Sequence, residues 1–243
     1  MNLRTFLERH APTAFSVARV LGTRRFELFP PRVTYALGPL HRAIRRHFDS
    51  RDGIYFEVGA NNGIDQSNTA YLDRYLGWRG ILVEAIPHKF VECVKNRPDA
   101  KVYHAALVPF DYSSKVVEMT YSNLMSVSSV SGVDAHGHSA TGEQFLKSES
   151  ALASQTFFAP AKTVQSVIDD AGFAHIDLFS LDVEGAELAV LAGIDFARTR
   201  PRHFLIEAYD PELMHRTMRG YGYEVVEKLS FHDFLYRDAR APA

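Results

Sequence analysis

One cysteine in 243 residues, Cys93, leaves this chain with no partner for an intramolecular disulfide and no basis for a cysteine zinc cluster. No stretch reaches the roughly 18 consecutive apolar residues that a membrane-spanning helix needs. Arg4, Glu8, Arg9 and His10 interrupt the apolar core that a signal peptide would carry. These absences set the expectation of a cytoplasmic protein. Lysine is missing from residues 1–48, which hold nine arginines against Glu8 and Glu27. That segment carries +7, leaving −9 on residues 49–243 for a total of −2. A basic arm on an acidic body suits a nucleic-acid, membrane-surface or acidic-partner contact, or simply a solvated helical face. The eleven histidines show no tight H-x-x-x-H or H-x-E spacing.

What is present is an ordinary globular composition, 46% hydrophobic, long enough for one large domain or a domain with an appendage. Residues 1–50 read as a helical basic arm. Leu37, Leu40, Ile44 and Phe48 recur at helical spacing with Arg42, Arg45 and Arg46 on other faces, and Pro30-Pro31 separates an earlier helix near 13–22. Residues 51–243 read as a second unit in which short apolar runs alternate with helical segments. Strands are expected at 54–58, 80–84, 102–107, 178–183, 203–208, 224–229 and 234–237. Helices are expected at 67–77, 87–97, 164–171, 186–192 and 211–221, with Pro87 and Pro211 in first turns. The pattern predicts an α/β fold, a mostly parallel seven-stranded sheet with helices on both faces. No helix separates the last two strands, so an antiparallel hairpin should finish the sheet at its edge. Residues 122–161, rich in serine, fit nothing regular and suggest a lid or a mobile segment.

The stretch YFEVGANNGIDQSN, residues 55–68, breaks a buried strand into a glycine turn. Ligands of open parallel sheets bind at such strand ends. Gly59 permits the turn and Gly63 a close backbone approach. The spacing is G-x-x-x-G, not the G-x-G-x-x-G of a dinucleotide fold, and the acid Glu57 before it would repel pyrophosphate. A carboxylate there suits a ligand carrying an ammonium and a sulfonium. Glu84, ending GILVE, is placed to accept from both ribose hydroxyls. Two acids, a glycine turn and no phosphate anchor point to S-adenosylmethionine.

FEVGANNG, LVEAIP, AALV and FSLDVEGAEL, in this order, resemble the FkbM-type family of S-adenosylmethionine-dependent methyltransferases over roughly residues 54–237. The resemblance implies a Rossmann-like methyltransferase fold and methylation of hydroxyls, often on sugars or secondary metabolites. It also implies that Glu57, Gly59, Asn61 and Gly63 hold the methionyl part, Glu84 the ribose, and Ala106 the adenine surroundings. The basic arm lies outside it, and Ile64-Asp65-Gln66-Ser67 replaces the family's usual aromatic-Thr ending.

Methyl transfer needs alignment of acceptor oxygen, methyl and sulfur, helped by a base near a poorly nucleophilic hydroxyl. Asp182 and Glu184, two apart on an extended chain, should face one side, with Gly185 turning the chain after them. Glu187 would cap the next helix. FLIEAYD brings Glu207, Tyr209 and Asp210 to the same edge. Glu184 is the preferred base, with Asp182 and Glu207 as further catalytic candidates. Asp182 with Glu207 could take a divalent cation, although such carboxylates also orient hydroxyls without one. His104 reads as a satisfied core residue, His136 and His138 as lid residues and His232 as a rim residue. Trp78, Tyr71 and Tyr75 read as packing, and Cys93 as buried and inert. The partner expected is a small-molecule or glycan acceptor, with self-association through the N-terminal helices a further option. The competing readings are a nicotinamide oxidoreductase, a non-catalytic Rossmann-like binding domain, and a methyltransferase acting on RNA or a peptide.

Overall fold

The computed structural model describes residues 34–120, 127–128 and 156–240. The helix expected near 13–22, and His136 and His138, lie outside them. Seven strands form the main sheet: β1 (Ile54–Val58), β2 (Arg79–Glu84), β3 (Lys101–His104), β8 (Leu178–Leu181), β9 (His203–Glu207), β10 (Tyr223–Lys228) and β11 (Asp233–Asp238). Their order is β10-β11-β9-β8-β1-β2-β3. Strands β3, β2, β1, β8 and β9 run parallel, and β11 is antiparallel to both β9 and β10. The hairpin thus finishes the sheet as expected, but its second strand lies inside the first.

The strands alternate between two apolar layers, because successive side chains point to opposite faces. Phe56, Val58, Phe179, Leu181, Phe204 and Ile206 pack with α4 (Val164–Ala171), α5 (Glu187–Leu191) and α6 (Pro211–Gly220). Tyr55, Leu82, Leu178 and Leu205 pack on the other face with α1 (Leu40–His47), α2 (Ala70–Leu76) and α3 (Pro87–Asn96). Three helix starts have a local cause. Thr163 caps α4 by accepting from the Ser166 N–H, Asp210 caps α6 by accepting from the Leu213 N–H, and Pro87 and Pro211 occupy first-turn positions. Gly77 and Gly172 close α2 and α4 in the left-handed conformation.

In α1 the buried stripe is Leu40, Ala43 and Ile44, continued by Phe48, while Arg42, Arg45 and Arg46 face outward. Leu37 does not belong to this stripe. The helix begins after Gly38-Pro39, which leaves Leu37 exposed outside it. The expected strand 102–107 is two strands. At Ala105 the chain leaves the main sheet, and β4 (Ala106–Leu107) joins a second sheet of order β4-β7-β5-β6. Its other strands are β5 (Val116–Thr120), β6 (Val127–Ser128) and β7 (Thr156–Lys162). Residues 127–128 and 156–161, expected to be irregular, are therefore sheet. Val117, Met119 and Ala159 bury its inner face against Ala106 and Val108.

Candidate active site

The carboxyl ends of β1, β2, β8 and β9 open onto one cavity of about 460 Å3, a size that suits a small ligand. At the end of β1 the chain turns through Gly59, whose φ is 77°. A Cβ there would lie 1.9 Å from the Asp182 carbonyl oxygen, so the β1 and β8 turns approach this closely only with glycine. The next residues fold back over β2. The Asn61 N–H donates to Glu84 Oε2 and the Ile86 N–H to Glu84 Oε1, both at 2.7 Å. Burial raises the Glu84 carboxyl to about 7, opposed by these amide bonds.

Glu57 and Gly63 do not line the cavity, contrary to the role expected of them in holding the methionyl part. Glu57 lies beneath the loop, where Ser67 Oγ (2.9 Å) and Thr69 Oγ1 (2.5 Å) donate to its Oε2 and the Asn68 N–H (2.8 Å) to its Oε1. Arg97, almost fully buried, completes this layer. It donates to the Gly63 carbonyl at 2.9 Å and to Thr69 Oγ1 at 3.1 Å, pairs with Asp73 at 3.3 Å, and lies over the Tyr55 ring. Gly63 faces α3, where a Cβ would meet Cys93 Sγ at 2.9 Å and Arg97 Cγ at 3.0 Å. Its missing side chain serves packing. Gly59, Asn61, Glu84 and Ala106 do line the cavity.

The opposite wall is built differently. Strand β8 stops at Leu181, so strand alternation does not place Asp182 beside Glu184. A turn does, through left-handed Glu184 (φ 54°) and Gly185 (φ 95°). Glu187 holds that turn by accepting from the Val183 and Gly185 N–H groups at 3.1 and 3.0 Å. One carboxylate oxygen each from Asp182, Glu184 and Glu207 lies within 4.8 Å of the others. Asp182 is exposed to the cavity, while Glu184 and Glu207 are half-buried. Desolvation raises the proton affinity of both Asp182 and Glu207, which lie within hydrogen-bonding reach; the Asp182 charge adds to the rise at Glu207, while the Glu207 hydrogen bond opposes it at Asp182. Burial also raises Glu184 to about 7, against the Tyr209 hydroxyl that donates to it at 2.6 Å.

The β10–β11 turn supplies the rim. Ser230 Oγ accepts from the His232 and Asp233 N–H groups, and the Ala208 N–H donates to the His232 carbonyl. His232 Nε2 then lies 3.0 Å from Glu207 Oε1. Phe231 is 86% exposed beside it. Asp210 takes no part, since it caps α6. His104 bonds the Ala85 carbonyl and stacks on Phe90, and Trp78, Tyr71 and Cys93 are buried in the core. Sequence reasoning passed over Arg97, Ser67 and Asn68. The only local signal of Ser67 and Asn68 is the polar triplet Ser67-Asn68-Thr69 at the start of a helix, and Arg97 has none.

The parallel strands, the antiparallel strand inserted next to the edge and the acids ringing one cavity at the carboxyl ends define a Rossmann-like methyltransferase. The chain belongs to the FkbM family of S-adenosylmethionine-dependent methyltransferases, because the Methyltransferase FkbM domain matches residues 57–228. No curated protein matches it. Similar solved structures include an FkbM methyltransferase from Methylobacillus flagellatus KT, 13% identical over 78% of this chain and 44% of that one, TM-score 0.43. Others are a precorrin-6y C5,15-methyltransferase from Geobacter metallireducens GS-15 (10% identical, 81% and 84% covered, TM-score 0.41) and a TehB-like methyltransferase from Corynebacterium glutamicum (9%, 95% and 99%, TM-score 0.43).

Proposed function

We propose that the chain methylates a hydroxyl of a sugar, glycan or glycosylated metabolite. The observation that carries this reading is the convergence of three acceptor-rich carboxyl groups, Asp182, Glu184 and Glu207, on the cavity that Glu84 also lines. The residues fit the cofactor. Among the described residues lining the cavity there is no lysine or arginine to meet a pyrophosphate, while carboxylates suit ammonium and sulfonium charge. When bound, S-adenosylmethionine supplies an electrophilic methyl group for in-line displacement by the acceptor oxygen.

Glu84 takes the ribose hydroxyls, the Gly59–Asn61 backbone borders the methionyl part, and Ala106 borders the adenine. Glu184, raised to about 7, is matched to removing a hydroxyl proton near neutral pH, with Tyr209 fixing its orientation. Asp182 and Glu207 hold neighbouring hydroxyls through the proton they share. The same oxygens form a hard donor set for a divalent cation. His232 Nε2 lies 3.0 Å from one of them, Glu207 Oε1.

Residues 51–243 are assigned to the methyltransferase domain and 1–50 to the basic arm, which α1 attaches to the core. Self-association through the arm and a cytoplasmic location belong to the same proposal, and sizing chromatography and cell fractionation test them. Among the described residues no helix is long and apolar enough to cross a membrane. Calorimetric titration with S-adenosylhomocysteine, with NAD in parallel, tests the site. Micromolar binding of the first alone supports it and licenses an acceptor screen across sugars, RNA and peptides. Binding of neither favours a non-catalytic domain.

A further inference from the structure

Phe231 stands 86% exposed in the β10–β11 turn, more than any other large apolar residue described. Single apolar side chains on a surface are ordinary, but this one has company and a fixed mount. Leu37, 57% exposed, and Pro39 line the same cavity as Phe231. The turn that carries the ring is closed by its own hydrogen bonds. The Leu229 N–H donates to the Asp233 carbonyl at 2.8 Å, and the Asp233 N–H to Ser230 Oγ at 3.0 Å. The Ala208 N–H ties the turn to the end of β9 through the His232 carbonyl at 2.7 Å. A ring presented on so fixed a turn loses little conformational freedom when a ligand packs on it.

Its surroundings say what such a ligand must offer. Lys228 Nζ lies 5.6 Å from the Phe231 ring centroid and 5.5 Å from that of Phe234, so an ammonium takes one face of the exposed ring. The His232 ring stands at 84° to Phe231, with centroids 6.4 Å apart, and its Nε2 reaches Glu207 Oε1 at 3.0 Å. Phe231 is therefore one side chain away from the Asp182–Glu184–Glu207 cluster. A ligand that meets both must be apolar where it touches the ring and rich in hydroxyls where it touches the acids. A pyranose is built that way, with C–H bonds on its faces and hydroxyls around its edge. The C–H hydrogens match the negative face of an aromatic ring, and the hydroxyls donate to carboxylates. An RNA chain would also stack, but it would bring phosphates towards three crowded acids.

We infer that Phe231 is a specificity-determining residue, the platform on which the pyranose ring of the acceptor stacks while a hydroxyl points to the acid cluster. The inference rests on the sugar reading proposed above, and the experiment separates the two. Saturation-transfer NMR, with S-adenosylhomocysteine in excess, would use the methyl pyranosides of glucose, galactose, mannose and rhamnose as probes and sorbitol as the acyclic control. The unmodified protein should transfer magnetisation to the ring C–H protons of at least one pyranoside and not to sorbitol. Phe231→Ala should weaken binding of that pyranoside by about tenfold, the upper end of what an aromatic contact contributes beyond its area. Phe231→Tyr should retain it, and Phe231→Leu, apolar but without a π face, should lose it as the alanine variant does. Unchanged S-adenosylhomocysteine affinity by calorimetry reports that each variant is folded. Pyranoside binding that survives Phe231→Ala, or that Phe231→Leu keeps in full, would overturn the platform and leave the sugar reading standing. So would equal transfer to sorbitol, or a matching loss of S-adenosylhomocysteine affinity in Phe231→Ala. No transfer to any pyranoside would overturn the sugar reading, and the platform with it.

Discussion

The acids of the β1–β2 side, Glu57 beneath the cavity and Glu84 lining it, and those of the β8–β9 side share one chemistry and differ in how many donors each carboxylate receives. On the β1–β2 side Glu57 accepts from two hydroxyls and an amide, and Glu84 from two amides. On the β8–β9 side Asp182, Glu184 and Glu207 crowd together, with one tyrosine hydroxyl and one imidazole facing them. Saturated carboxylates behave as structural pins, since a buried charge with full hydrogen bonding holds its surroundings in one arrangement. Burial raises Glu84 and Glu184 alike to about 7, so proton affinity does not separate the two sides, whereas the number of bonds holding each carboxylate does. The difference separates carboxylates held in one position from carboxylates left able to exchange partners.

The severest way to break this contrast is to remove the pin from the β1–β2 side. Arg97→Met leaves Asp73 and Glu57 buried without their cation and should cost about 3–5 kcal/mol of stability, read from urea unfolding. A loss below about 1 kcal/mol would mean that this layer is not fixed by charge. Next in size, Glu84→Ala should reduce S-adenosylhomocysteine affinity by about a hundredfold, near 2.7 kcal/mol. Glu184→Ala should leave that affinity intact while removing turnover. Equal losses in both variants would erase the distinction between the walls. Smaller still, Gly63→Ala should destabilise by about 1–2 kcal/mol through its left-handed backbone, with S-adenosylhomocysteine affinity nearly unchanged. A binding loss larger than the stability loss would return Gly63 to the ligand.

The finest test is pH. Burial raises Glu184 from 4.5 to about 7, so the folded state holds a proton that the unfolded chain has released. The Glu184 contribution to stability therefore falls as pH climbs from about 4.5 to about 7 and is flat on either side. Glu184→Gln removes that slope. Its stability relative to the unmodified protein should be greater at pH 8 than at pH 4, by urea midpoints. A constant difference across that range would show Glu184 to be unperturbed.

Much of the frame was legible because fully buried parallel strands read as unbroken apolar runs. Ile54–Val58 and the helix at 164–171 were placed to the residue. The second sheet was not legible. Strand β7 holds Pro160 and an exposed Phe158, and its antiparallel partner β5 lies some forty residues earlier in the chain. For the site, the acids themselves could be read but their partners could not. Glu57 finds its donors ten to twelve residues ahead, Arg97 reaches back to Gly63 and Thr69, and Asn68 meets Ser180 across 112 residues. Which carboxylate is saturated depends on closures of this length, and no local pattern encodes them.

The placement of β11 has a consequence for assembly during synthesis. Strand β10 is paired in the sheet only to β11, and β11 alone joins it to β9. A nascent chain emerging in order can dock β1 to β9 as each appears, yet residues 223–228 have no berth until residues 233–238 follow. His232 and Phe231 lie in the connection between them, so the rim beside Glu207 is the last piece of the cavity to be built. A ribosome-bound chain can therefore bury its cofactor-side wall well before it owns a complete reaction chamber.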